Sequence, residues 1–123
     1  TDYTAESGAR ATRKLLSSPE PPSVIIFDSD ILAVTGLGVA QQMGFAVPDD
    51  VSIVGWDDSL ISQVVHPPLT AITRDNVDYG LRAIRHLLDV IDGRTTDDLE
   101  TPSGELTPRG STGPARRSSA APA

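Results

Sequence analysis

Two short runs of this chain carry carboxylates at a spacing that could do chemistry. Asp28-Ser29-Asp30 follows the apolar run "SVIIF", and Asp57-Asp58 follows "VSIVGW". Two acids one residue apart at the end of a buried strand could serve as a nucleophile and its acid/base partner. The same residues could equally mark the start of a helix at the rim of a binding cleft. An oxygen acceptor there bonds a free N–H of the first turn and opposes the helix dipole, which is worth about 1 kcal/mol. Ser29 or Asp30 would cap the helix that follows, and Asp57, Asp58 or Ser59 would cap a short turn after Trp56.

The elements that must position these acids follow from punctuation and periodicity. Residues 4–17 read as a helix with a small face at Ala5, Gly8 and Ala9, broken by the prolines of "SSPEPPS". "VIIF" (Val24–Phe27) is a continuous apolar run, as expected of a strand covered on both faces. Helical spacing runs from Asp30 to Met43 and stops at Gly44. "VSIVGW" (Val51–Trp56) is a second buried strand, and "HPPLTAIT" (His66–Thr73) is extended. Residues 75–91 place Val77, Leu81, Ile84, Leu88 and Ile91 in one stripe at spacings of four and three, ending at Gly93. "GELTPRGS" reads as an edge strand, and the small, polar residues 112–123 as a disordered tail. Strands alternating with helices predict an α/β fold with a largely parallel sheet. Ligands of such sheets sit at the carboxyl ends of the strands, and both acid clusters belong at that edge.

Bulk composition narrows the function classes. With 123 residues there is room for about one domain. Only two Phe, one Trp and two Tyr are present, so the core must rest on Val, Ile, Leu and Ala. A formal charge of −7 leaves no electrostatic footprint for nucleic acid on this piece. The absence of cysteine rules out a disulfide framework or thiolate metal site and fits a cytoplasmic chain. No apolar run is long enough to span a bilayer, and the start carries no signal core. His66 reads as a loop residue and His86 as part of a solvated helix face, neither with a metal-ligand partner at useful spacing.

A strand followed by Asp-x-Asp resembles the phosphotransfer motif of haloacid-dehalogenase-like hydrolases. That likeness would make Asp28 a nucleophile, Asp30 an acid/base and "GWDDS" the holder of magnesium. The chain departs from it in two places. Leu32 stands where that family has Thr or Val, and the only lysine, Lys14, lies upstream of both motifs.

A second resemblance covers residues 1 to about 113. "VPDDVSIVGWDDS" followed by "HPPLTAITRDNVDYG" is similar to the effector-binding domain of LacI/GalR transcriptional repressors. "FDSDILAVTGL", "ELTPRGSTGP" and the opening "TDYTAESG" resemble further segments of that family. The resemblance implies a periplasmic-binding-protein-like, three-layer αβα fold. Two subdomains close on a small molecule, usually a sugar or nucleobase, and an amino-terminal headpiece binds the operator. Residues 1–111 would then be a partial effector-binding domain, without headpiece or amino-terminal subdomain. Within it, 1–73 and 101–111 belong to the carboxyl-terminal subdomain, and 75–91 is a helix of the otherwise missing one.

By that likeness Asp57 is the carboxylate that accepts from ligand hydroxyl or amine groups. Ser29 occupies the place of a ligand-binding Asn, and Tyr3 that of an aromatic residue packed on the ligand. Arg74 and Asn76 lie where the chain crosses between subdomains and line the cleft. Leu32, Val34 and Leu37 fall on a helix that resembles the family's dimer-facing one, which implies a homodimer in the full-length protein; a plain core helix would account for the same apolar residues. The likeness implies no catalytic residue, metal or cofactor. A serine offers one hydroxyl where Asn offers both a donor group and an acceptor, so the ligand does not carry over from other members. The same fold also serves secreted sugar-binding proteins of transporters. The GWDD and PPLT pairing favours the repressor, whose operator would be read only through a headpiece outside these residues. With its partner subdomain missing, the stripe of helix 75–91 is expected to show low burial.

Overall fold

The computed structural model describes residues 2–94, 97–100 and 102–115. The elements run α1 (Ala5–Leu16), β1 (Val24–Ile26), α2 (Asp30–Gln42), β2 (Ser52–Trp56), α3 (Leu60–Val64), β3 (Thr70–Thr73), α4 (Asn76–Ile91) and β4 (Glu105–Thr107). One sheet has the order β1-β2-β3-β4, with the first two pairings parallel and β4 antiparallel on the edge. Parallel neighbours need crossovers, which α2 and the segment through α3 supply.

The core lies on one face of the sheet. In register, Ile25 stands beside Ile53, and Gly55 beside Ala71. All four are buried, and Ala33 of α2 comes within 3.3 Å of where a Gly55 Cβ would be. The opposite face is open at β1, where Val24 and Ile26 are exposed, Ile26 at 66%, while Val54 and Thr70 on that face are buried. The expectation that the first strand is covered on both faces is therefore corrected. Only Ile25 of β1 is buried, because the described helices that contact the sheet do so on its side. Val51, Ile53, Val54 and Gly55 are buried as the second strand requires.

Small residues set the helix packing. A Cβ on Gly8 would lie 2.7 Å from Leu32 Cδ2, so α1 and α2 approach closely there. A Cβ on Gly36 would collide with the Phe27 ring. Helix α2 is thus buried against α1 as well as the sheet, which explains its excess of apolar residues. This corrects the dimer-facing assignment: Leu32 (2% exposed) and Leu37 (3%) lie inside the chain's own core, and Val34 packs against it. Gly44, at φ 83°, ends the helix as expected.

Helix α4 contributes no buried residue, and its stripe ranges from 48% exposure at Leu81 to 74% at Val77, as expected from the sequence. Its cap is Asp75, whose carboxylate accepts from the N–H groups of Val77 and Asp78.

The segment after β4 departs most from expectation. It wedges between β2 and β3, where the N–H of Ile53 donates to the Ser111 carbonyl (2.9 Å). The buried Ser111 hydroxyl accepts from the Thr70 N–H and donates to the Ile53 carbonyl. Thr112 bonds the Thr70 hydroxyl, and Gly113 donates to Ser52. The expected disorder from residue 112 is corrected at Thr112 and Gly113, which these bonds to Thr70 and Ser52 hold against the sheet beside Ser111. The rest of that tail, 116–123, lies outside the described residues.

Replacing Ser111 by Ala strands the Thr70 N–H and the Ile53 carbonyl in a fully buried setting. The expected loss is about 2 kcal/mol of unfolding free energy, read as a lower urea midpoint at unchanged slope.

Candidate functional site

The carboxyl ends of β1, β2 and β3 lie side by side, about 5 Å apart from strand to strand. Asp28 and Ser29 follow β1, Trp56 ends β2 with Asp57 next to it, and Arg74 follows β3. Four of the five sequence-predicted binding residues, Ser29, Asp57, Arg74 and Asn76, lie within three residues of these strand ends. The fifth, Tyr3, is brought there by a bond: its phenol O–H donates to Asp28 Oδ2 at 2.7 Å. Tyr3 sits at φ 60°, a left-handed conformation just before α1.

Asp57 is exposed, at φ 70°, and its carboxylate bonds no other described residue. An unpaired acid that turns its backbone out of the strand is poised to accept from a polar guest. Ser29 is half-buried and extended (φ −153°), and its hydroxyl makes no capping bond. Arg74 stacks on the Trp56 ring, 5.2 Å from its centroid, so the two side chains form one amphipathic ledge beside Asp57. Asn76 opens α4, its N–H bonded to the Arg74 carbonyl at 3.1 Å. A hollow of about 320 Å³ lies behind the ledge, lined by Arg74, Asp78, Tyr79 and Glu105 among others. It does not include Asp57.

The capping assignments divide. Asp30 does accept a first-turn N–H, that of Ile31 at 2.6 Å, from inside the helix rather than from the cap position, which Ser29 holds. Asp58 does not cap α3; Ser59 occupies that position, without a side-chain cap bond. Instead Asp58 takes both prongs of Arg109, each at 2.7 Å, and accepts from the Thr73 hydroxyl at 3.1 Å. An arginine fork outcompetes a lone N–H because it offers charge and two aligned donors. The Arg109 bond holds the Asp58 carboxyl below its ordinary range, and the Asp58 bond in turn holds Arg109 above its own. With Asp58 so engaged, the phosphatase reading loses one of the two "GWDDS" acids that would hold magnesium. Among the described residues no group of three or more His, Cys, Asp or Glu could hold a metal ion. No described helix is long and apolar enough to cross a membrane.

Sequence reasoning missed Trp56 and Arg109 as members of this edge. It weighed Asp28 only as a nucleophile. Nothing local marks a residue whose partner is 51 positions away, as Arg109 is from Asp58.

Residues 1–112 match the periplasmic binding protein-like domain. A LacI family transcriptional regulator from Bifidobacterium animalis subsp. lactis superposes with a TM-score of 0.89 at 45% identity, covering 94% of this chain and 43% of that one. The chain belongs to the periplasmic-binding-protein-like family, in its LacI-type branch. It is 38% identical over 93 residues to the HTH-type transcriptional repressor CytR of Escherichia coli, which covers 76% of this chain and 27% of CytR. A third relative is the transcriptional regulator CelR in complex with cellobiose, with a TM-score of 0.78 and 32% identity over 89% of this chain and 34% of that one. The chain spans less than half the length of each of these relatives.

The Asp28 acceptor holds the Tyr3 phenol above its ordinary value of 10.0. The pair's contribution is present below that value and is lost as pH rises through the raised one. In a Tyr79→Phe background, absorbance titration of Tyr3 is expected to move back toward 10.0 in Asp28→Asn. An unmoved curve would show that the bond does not form in solution. For Asp58 the sign is opposite: its contribution is present above the ordinary 3.8 and is lost as pH falls through the lowered folded value. The acid limb of stability is expected to flatten in Asp58→Asn, measured by urea titration on both sides of that pH.

Proposed function

We propose that this chain is the ligand-sensing part of a DNA-binding transcriptional repressor that takes a small sugar-like effector. The observation that carries the reading is the free carboxylate of Asp57, flanked by Ser29, Tyr3 and the Trp56–Arg74 ledge on adjacent strand ends. Sugars and nucleobases present convergent hydroxyl or amine donors, which one unpaired carboxylate recognises. Aromatic faces beside it suit the apolar face of a ring. The cellobiose complex of CelR supports a sugar-like guest, and the helix-turn-helix type of CytR supports operator binding through a headpiece beyond these residues. The reading includes a cytoplasmic homodimer in the full-length protein and involves no catalysis.

In this reading residues 1–73 and 101–111 form one subdomain, and the exposed stripe of α4 seats in the other. The ligand then binds between the two and favours one relative orientation. It shifts the balance only by its difference in affinity for the two states. Operator and effector affinities are reciprocally linked, and the readout is the spacing of two recognition helices on two half-sites.

With half the cleft, the isolated chain is expected to bind cellobiose and nucleobases more weakly than micromolar by isothermal titration. In the full-length regulator, Asp57→Ala is expected to weaken effector binding at least about tenfold, the scale of one charge-assisted hydrogen bond, with the melting temperature little changed. Micromolar binding to the isolated chain, or full effector affinity in the Asp57→Ala regulator, would overturn the reading.

A further inference from the structure

We infer that Arg109 is a positioning residue for Asp57: by gripping Asp58 it holds the neighbouring backbone in the left-handed turn that presents the Asp57 carboxylate. The inference rests on the reading of Asp57 as the ligand carboxylate. Trp56, on one side of Asp57, is fixed in the ladder opposite Ile72, with its ring under Arg74. Asp58, on the other side, is fixed by the two prongs of Arg109 and by Thr73. The single residue between these anchors takes φ 70°.

Nothing in Asp57 itself explains that conformation, since its side chain bonds no other described residue. Helix α3 adds only long contacts to the turn: the Gln63 amide donates to the Asp58 carbonyl at 3.5 Å and to its carboxylate at 3.4 Å, against 2.7 Å for each Arg109 prong. Its cap residue Ser59 makes no capping bond, and the buried Ser59 and Ser62 hydroxyls lack hydrogen-bond partners among the described residues. Arg109 is well founded by contrast. Its guanidinium also donates to the Leu69 carbonyl at 2.9 Å, and its N–H donates to the Thr70 hydroxyl at 2.8 Å. Its side chain is only 20% exposed, and that of Asp58 only 11%. The grip is two-pronged and shielded, so a lysine, with one compact charge, does not reproduce it. Thr73 closes the device: it bonds both Asp58 and Thr107, which ties the Asp57 turn to the two strands on either side of α4.

A double-mutant cycle on this chain tests the idea without any ligand. Glycine adopts positive φ freely, so Asp57→Gly is expected to raise the thermal midpoint by about 3 °C. In Arg109→Lys and in Asp58→Asn the turn can relax, and the same change is expected to yield less than half that gain. A merely structural ion pair would lower every midpoint and leave the gain intact. All melts include trimethylamine oxide, so that weakened variants stay folded. Asp58→Asn, the near-isosteric change, carries the comparison if Arg109→Lys does not fold. Equal gains in all backgrounds, or no gain in the parent, overturn the inference while leaving the effector reading intact. Undiminished effector binding by the Asp57→Ala regulator would overturn that reading without touching the cycle.

Discussion

The fork of Arg109 on Asp58 joins residues 51 positions apart and ties the end of β2 to the segment that follows β4. Two residues further on, Ser111 fills the open ladder between β2 and β3 with its hydroxyl and both its backbone groups. Together these bonds make a short irregular segment part of the sheet. Truncating one partner would leave the other charge or amide unpaired in a nearly closed space, which is why such contacts fail as a unit. The positions of Asp57 and of the strand ends beside it depend on this junction.

The apolar surface is divided unevenly, and that division bears on function. One face of the sheet is filled by Ile25, Ile53 and Ala71 under α2, with α1 keyed to α2 at Gly8. The β1 end of the other face, at Val24 and Ile26, remains open, and α4 contributes no buried residue. A two-lobed effector domain needs such a helix, because its stripe is seated in the opposite lobe. In the proposed reading, the polar edge at the strand ends is where a guest would meet both lobes.

Much of the architecture was legible in the residues. The apolar runs ending in acids, the four-three spacing of 75–91 and the stop at Gly44 all depend on local geometry, and the elements followed them closely. The placing of Asp28, Ser29 and Asp57 at one edge followed from the alternation of strands and helices, and that of Arg74 from the family resemblance. The errors have a common cause. Asp58 was assigned to a cap because a helical turn follows it, and Leu32 and Leu37 to a partner surface because one stripe could not use them. In each case the chain's own fold took the residue first: Arg109 for Asp58, α1 for Leu32, and the buried cluster for Leu37.

By itself the sequence determined the periodicities, the breaks and the types of side chain at the strand ends, because these depend on neighbours within a few residues. Only tertiary structure decided which acid stayed free. Asp57 and Asp58 are chemically identical and adjacent. One is neutralised by an arginine far along the chain, and the other is turned outward at φ 70°. No local propensity distinguishes them, because the difference arises from where the returning strand places a guanidinium.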